Sequence, residues 1–188
     1  MPQETKRTIP SDLIEATAFE LMRRAAIEIP EDFRLGVEAM VDTEAEDLSR
    51  FVLESMVENW HAAEEDRRAM CADTGLPRYY VKAGNEAVIG GGFVALERAL
   101  RRATARATHE IPLRPNRVHP LSRADHNNNV GINAPEIEFS FEPDADWLDI
   151  TTVHKGGLFG TDYRMLFPGD GKDGIKRFFL DTMMQFGR

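Results

Sequence analysis

The one cysteine of this 188-residue chain lies in the segment MCADTGLPRYY, where it closely precedes an Asp-Thr-Gly triplet. A cysteine can act as a nucleophile or bind a metal, and an aspartate can donate or accept a proton. Asp-Thr-Gly is also the active-site triplet of retroviral-type aspartic proteases, whose chains are almost entirely β-structure. The protease interpretation fails on context, because the segments around Asp73 are predicted to be helical.

Three interpretations of Cys71 stay open on these residues alone. A cysteine nucleophile needs a neighbouring base, usually histidine, and nothing in the spacing of the five histidines identifies one as that base. One cysteine cannot build a structural zinc site, which takes about four protein ligands, so a metal held by Cys71 needs ligands from elsewhere. The third interpretation is a small buried thiol in a turn.

The segment before Cys71 is predicted to contain three helices. Apolar residues spaced three and four apart follow Pro10 and indicate the first helix. Pro30 suits the first turn of a second helix, where its missing N–H is not needed. Thr43 and Glu46 have the spacing of a capping box ahead of the third helix. These helices precede and position the cysteine-bearing loop.

The remaining chain is predicted to mix strands and helices. Residues 79–81 favour a short strand, and the triple glycine 90–92 precedes a strongly helical segment. The segments EIEFSFE and WLDITTVHKGG favour two strands that neighbour each other in a sheet, and IKRFFLDTMMQF favours a closing amphipathic helix. Between them, residues 111–135 have no periodicity, and long loops of this kind tend to be functional or disordered. The expected fold is α+β and helix-rich, with N-terminal helices packed against a small sheet and a long irregular loop that carries motifs.

Composition limits the partners that are expected. The chain has 42% hydrophobic and 29% charged residues and a formal net charge of −9, which fit one folded domain over residues 1–188. No basic face stands out, so neither nucleic acid nor an anionic membrane surface is an expected partner. The N-terminus lacks a signal pattern, and no apolar run approaches the roughly 18 residues of a membrane span. The expected location is the cytoplasm.

Four ordered segments carry a resemblance to a known family: MCADTGLPRYY, PLRPNRVHPLSR, NNVGINAPEIEF and HKGG. They resemble the motifs of the iron–sulfur hydro-lyases that include class I fumarase and the α subunit of L-tartrate dehydratase. In that family the first motif reads Cys-Gln-Asp-Thr-Gly, the second contains Leu-Arg, the third reads Asn-Thr-Gly-x-Asn-x-Pro, and the fourth reads Lys-Gly-Gly-Gly-Ser. The resemblance covers most of the chain and implies hydro-lyase activity on a small hydroxy-dicarboxylate.

The resemblance implies roles for the residues of the first two motifs. Cys71 corresponds to one ligand of a four-iron four-sulfur cluster that two further cysteines complete, with one iron left open as a Lewis acid for the substrate hydroxyl. Asp73 corresponds to the aspartate implicated in proton transfer, and Thr74 shapes its turn. Arg114 corresponds to an arginine that grips a substrate carboxylate, a task suited to a planar bidentate donor. The alternative role for Arg114 is structural, in which the side chain holds a long loop in place.

The third and fourth motifs are expected to complete the substrate-binding region. Asn129 belongs to the third motif, whose asparagines are expected to hold loop backbone rather than to touch substrate. Lys155, Gly156 and Gly157 match the fourth motif, where glycine lets the backbone approach a ligand.

Departures from the family pattern change what is expected of this chain. Ala72 replaces the family glutamine, and Leu158 and Phe159 replace small residues, so the pocket is expected to differ from that of an ordinary fumarase. With one cysteine, the chain is expected to be the N-terminal portion of a longer subunit and to be inactive alone. A β subunit or C-terminal domain is expected to complete the site in a homo- or hetero-oligomer. The alternatives are a noncatalytic subunit or assembly module of the same fold and a cysteine-nucleophile enzyme.

Overall fold

A computed structural model describes residues 7–156 and 162–186 and divides the chain into two compact units, Met1–Lys155 and Gly156–Arg188. The first unit contains helices α1 (Ser11–Ile27), α2 (Glu31–Thr43), α3 (Asp47–Asp66) and α4 (Gly92–Glu110). Its strands are β1 (Thr8–Ile9), β2 (Leu76–Gly84), β3 (Val88–Ile89), β4 (Glu136–Glu142) and β5 (Leu148–Lys155). Helices and small sheets in one chain confirm the α+β prediction.

The second unit consists of a short 3-10 helix, Pro168–Asp170, and helix α5, Gly171–Phe186. The segment before these helices contacts α5, because Arg164 Nη1 lies 2.8 Å from Asp181 Oδ2 and the Thr182 hydroxyl lies 3.0 Å from Asp162 Oδ2. The predicted closing helix is therefore present. In the described residues of both units, no helix is long and apolar enough to cross a membrane.

The three helices predicted before Cys71 are confirmed, but the capping box between the second and third is wrong. Thr43 is the last residue of α2, and its hydroxyl donates to the Ala39 carbonyl at 3.0 Å. Helix α3 begins at Asp47, after an N-cap, Glu46, that forms no side-chain capping bond. The threonine hydroxyl is used within its own helix, so it cannot cap the next one.

The predicted pairing of the last two strands is also wrong. The three-stranded sheet has the order β4-β2-β5, with β4 parallel and β5 antiparallel to β2. The β4–β5 connection passes across the end of β2, where Gly84 N–H donates to Trp147 O at 2.9 Å and Glu86 N–H donates to Ala145 O at 2.8 Å. Gly84 permits this crossing, since a Cβ there would lie 2.2 Å from Ala145 O. A short connection therefore joins two strands that are not neighbours.

The core of the first unit lies between the sheet and helices α1 and α4. Alanines on α4 let α1 approach closely, and Met22 of α1 is fully buried among them. Tyr79 of β2 is 1% exposed, and its hydroxyl lies 3.0 Å from Thr104 Oγ1 and 2.8 Å from Met22 Sδ. The hydroxyl is thus buried with hydrogen-bond partners, which avoids the cost of an unsatisfied polar group. This packing fixes β2, the strand that follows the cysteine loop.

Candidate functional site

The sheet brings the motif-bearing segments to one of its edges. Strand β2 begins at Leu76, immediately after the first motif, and Leu76 lies opposite Lys155 at the end of β5. Arg78 lies opposite Glu136, the first residue of β4, which directly follows the third motif. Since β4 is parallel and β5 antiparallel to β2, the starts of β2 and β4 and the end of β5 share this edge. Motifs far apart in the sequence therefore lie side by side.

Asp73 and Arg114, both predicted as site residues, are in contact. Arg114 Nη1 lies 3.5 Å from Asp73 Oδ1, and the Arg114 backbone N–H donates to Thr74 Oγ1 at 2.8 Å. The Asp73 side chain is 9% exposed, whereas that of Arg114 is 57% exposed. The carboxylate is thus sheltered, while the guanidinium has donors left that can reach an anion from solvent.

Cys71 is exposed, so the interpretation as a buried structural thiol is wrong. Its Sγ accepts a hydrogen bond from the Asp73 backbone N–H at 3.2 Å. Among the residues that the structure describes, its hydrogen-bonding contacts are with the Asp73 backbone, so no histidine is placed as its base. The Cys71 thiol is therefore held against the Asp73 backbone and is accessible to a group outside the chain.

The residues of this chain do not by themselves fit a four-iron four-sulfur cluster. Cys71 is the one cysteine of the sequence. In residues 7–156 and 162–186, no group of three or more histidine, cysteine, aspartate and glutamate side chains could hold a metal ion. Such clusters are bound mainly through cysteine thiolates, and this donor set supplies one. Any cluster at Cys71 therefore needs ligands from outside this chain.

Asn129 holds the backbone of the loop that carries Arg114. It is 1% exposed, and its Oδ1 accepts the Asn116 backbone N–H at 2.7 Å. Its Nδ2 donates to the Arg114 carbonyl at 3.1 Å and lies 3.2 Å from Thr108 Oγ1 on α4. The residue has a φ of 56°, a left-handed conformation that asparagine tolerates better than most residues. Asn129 thus links Arg114 to a buried helix.

Arg101 is a second loop anchor, which the sequence did not identify. Its Nη1 donates to the carbonyls of Gly131 at 2.8 Å and Ala134 at 3.1 Å, so it holds both ends of the third-motif turn. Its Nε is paired with Glu97 at 2.9 Å, one helical turn earlier on α4. In the sequence Arg101 is one of several arginines on a helix, and nothing there separates it from the solvated ones.

The residues of the fourth motif are only partly described. Lys155 is exposed at the end of β5, opposite Leu76, and Gly156 follows it at the start of the second unit. Gly157 lies outside the described residues, as do Leu158 and Phe159. Lys155 therefore supplies a cation at the edge that contains the first motif.

His154 is a largely buried residue of the fourth motif that was not predicted as a site residue. It lies opposite Pro77, and its Nε2 is 3.1 Å from the Met22 carbonyl. Its Nδ1 is buried with no hydrogen-bond partner in the described part of the chain. Burial lowers the pKa of His154, although the nearby backbone groups of Met22 and Thr74 partly offset this. In the neutral ring, Nε2–H can donate to the Met22 carbonyl, which satisfies Nε2 but leaves Nδ1 without a hydrogen bond among the described residues.

Because of this buried ring, the free energy of unfolding is expected to fall as the pH drops below about 6.5, the ordinary histidine pKa. Above about pH 6.5 the ring is neutral in both the folded and the unfolded protein, so the free energy of unfolding is not reduced. Below it the unfolded chain binds the proton first, so stability decreases until the pH reaches the lowered pKa of the folded state. Urea unfolding at pH 7.5 and 5.5 measures this loss, and His154→Gln should make it smaller.

His109→Gln is the matched control, because it removes an exposed histidine from α4. It should leave the pH dependence of the unfolding free energy as it is in the unchanged protein. Equal pH dependence in the His154→Gln variant and the unchanged protein would show that the lowered pKa of His154 does not cause the loss of stability at low pH.

The fold and this edge define an α+β protein in which a sheltered carboxylate, an arginine and an exposed cysteine meet at the end of a small sheet. Residues 15–188 match the protein family described as fumarate hydratase (Fumerase), and the chain belongs to that family.

Two relatives show how far the similarity extends. The chain is 35% identical over 179 residues to the putative L(+)-tartrate dehydratase subunit alpha of Methanocaldococcus jannaschii, a match that covers 93% of this chain and 62% of the relative. It is 25% identical over 186 residues to the L(+)-tartrate dehydratase subunit alpha of Escherichia coli (strain UTI89 / UPEC), covering 97% of this chain and 60% of the relative. The chain thus spans about three fifths of the length of these curated relatives.

Proposed function

We propose that this chain is the N-terminal part of the α subunit of a hydro-lyase that adds water to, or removes it from, a small hydroxy-dicarboxylate. The observation that carries this proposal is the contact between Asp73 and Arg114 at the edge of the sheet where the motifs meet. Membership of the fumarate hydratase family supports the same reaction class. So do relatives that are named as α subunits of L(+)-tartrate dehydratase.

Arg114 binds one carboxylate of the substrate in this proposal. Its side chain is 57% exposed, and its long contact with Asp73 leaves other N–H donors for a second, bidentate partner. Lys155 provides another cation at the same edge, which suits the second carboxylate of a dicarboxylate. Asn129 acts indirectly by holding the Arg114 carbonyl.

Asp73 transfers the proton at the carbon next to the hydroxyl-bearing carbon. In the elimination direction its carboxylate accepts that proton, the electron pair of the C–H bond forms the double bond, and hydroxide leaves the neighbouring carbon. In the addition direction hydroxide adds to that carbon and the carboxylic acid returns the proton. The side chain is sheltered from solvent beside Arg114, so a bound carboxylate places the neighbouring carbon close to it. Thr74 keeps this geometry by accepting the Arg114 backbone N–H.

Cys71 is proposed as one ligand of a four-iron four-sulfur cluster whose other two cysteines lie outside this chain. The exposure of the Cys71 thiol agrees with such a role. The roles given to Asp73 and Arg114 do not depend on this assignment. A β subunit or C-terminal domain completes the site in this proposal, and the assembled enzyme is cytoplasmic.

Reconstitution tests both the cluster and the reaction. The native subunit with its partner, treated anaerobically with iron and sulfide, should gain cluster absorption and convert malate, tartrate or the hydration product of mesaconate. Cys71→Ser should lose both the absorption and the activity, because the serine hydroxyl is not a thiolate ligand. Full cluster absorption in Cys71→Ser would contradict the ligand assignment, and no conversion of any dicarboxylate by the reconstituted enzyme would contradict the reaction.

A further inference from the structure

The helical hairpin formed by α2 and α3, residues 31–66, carries the net negative charge of the molecule. It contains twelve aspartates and glutamates and two arginines, a net charge of −10, whereas the whole chain has −9. The remaining residues are therefore almost balanced in charge. A concentration of one sign on one surface favours partners of the opposite sign.

The same hairpin exposes large apolar side chains. Each of the two helices buries few residues, namely Val37 on α2 and Trp60 and Ala63 on α3. Between 37% and 70% of the surface remains exposed on seven others: Phe33, Leu35, Met40, Leu48, Phe51, Val52 and Met56. Apolar surface of this extent, mixed with carboxylates, is typical of a protein–protein interface.

A groove of about 460 Å³ lies between the two helices. The half-buried Val41 and Val57 line it with apolar surface, next to four carboxylates and a histidine: Glu38, Asp42, Glu54, Glu58 and His61. Within the described residues, none of these carboxylates forms an ion pair. No metal-binding group of side chains is present in those residues either, so the groove is not arranged around a metal ion.

The combination of apolar and acidic side chains continues along both helices beyond the groove. Leu35 precedes Glu38 and Asp42 by three and seven residues, and therefore lies on the same face of α2. Phe51 has the same relation to Glu54 and Glu58 on α3. Each wall of the groove thus presents carboxylates next to a large exposed apolar side chain.

We propose that the α2–α3 groove binds a positively charged amphipathic helix of a partner protein. Lysines and arginines on such a helix pair with the free carboxylates, while its apolar face covers Val41, Val57, Leu35 and Phe51. Helix-in-groove recognition uses this periodicity of apolar anchors. A second copy of the chain is a poor occupant, because its hairpin has the same negative charge and would be repelled. The surface is independent of the roles proposed for Asp73 and Arg114.

The probe is an 18-residue synthetic helix of leucine and lysine, with the leucines along one face, whose binding to the protein is measured by calorimetry. The peptide should bind, and its affinity should fall as salt screens the carboxylates. Glu54→Lys combined with Glu58→Lys should lower the affinity by roughly ten-fold or more. Glu138→Lys combined with Asp149→Lys changes the net charge equally on the exposed face of the sheet, and should leave the affinity within about two-fold.

The apolar half of the surface is tested separately. Phe51→Ser should weaken peptide binding, whereas Leu121→Ser, which removes an exposed leucine outside the hairpin, should not. Circular dichroism should show the same helix content in both variants. Absence of peptide binding, or equal losses in the groove and control variants, would overturn the proposal. Sedimentation showing self-association that Phe51→Ser abolishes would also overturn it, since the hairpin would then be an interface between copies.

Discussion

Asp73→Asn is expected to lower kcat of the assembled enzyme by about 10²–10⁴-fold, the range that a positioned acid–base group contributes. Asparagine has nearly the same shape as aspartate but cannot accept the proton from carbon. The amide oxygen can still contact Arg114, so the loop should keep its geometry and KM should change little. Steady-state kinetics with the preferred dicarboxylate measures both constants.

Two further variants separate proton transfer from other effects. Arg114→Lys should raise KM more than it lowers kcat, because lysine keeps the charge but loses the bidentate geometry. Asp149→Asn makes the same chemical change on an exposed residue of β5 and should leave both constants within about two-fold. An unchanged kcat in Asp73→Asn would show that Asp73 only orients Arg114 and that another group moves the proton.

The helices of this fold are predictable from the sequence because their signals are local. Periodic apolar residues after Pro10 and a proline at position 30 are enough to place α1 and α2. Strand pairing is not local. The short segment between β4 and β5 resembles a hairpin connection, but β2 lies between the two strands. Gly84 at the end of β2 and Glu86 just after it donate hydrogen bonds to that segment. Nothing in the short-range pattern predicts a third strand in that place.

The candidate site also combines residues that could be predicted from the sequence with residues that could not. Asp73 and Arg114 could be singled out from the sequence because both belong to segments that resemble family motifs, and the structure places the two side chains in contact. Among the residues that hold those segments, Asn129 is expected from the sequence to hold loop backbone, but its bonding partners could not be predicted, and neither could the roles of Arg101 and His154. Arg101, His154 and the amide of Asn129 act through backbone carbonyls and N–H groups that become neighbours only after folding. Such contacts correspond to no recognisable spacing of residues in the sequence.

Among these anchors, Asn129 should have the largest effect on stability. Asn129→Ala is expected to lower the free energy of unfolding by about 3 kcal/mol or more, because it leaves the Asn116 N–H without its partner and removes a donor from the Arg114 carbonyl. Alanine also tolerates a φ of 56° poorly, which adds a cost of about 1–2 kcal/mol. Urea unfolding at constant pH measures the total loss.

Asn133→Ala isolates the conformational part of this loss. Asn133 has a φ of 54°, but it is exposed, so its replacement should cost only the left-handed penalty of about 1–2 kcal/mol. The difference between the two variants then gives the contribution of the Asn129 hydrogen bonds. Equal losses would mean that these bonds add nothing net to stability. If the bonds do hold the Arg114 loop, Asn129→Ala should also raise KM in the assembled enzyme, whereas Asn133→Ala should not.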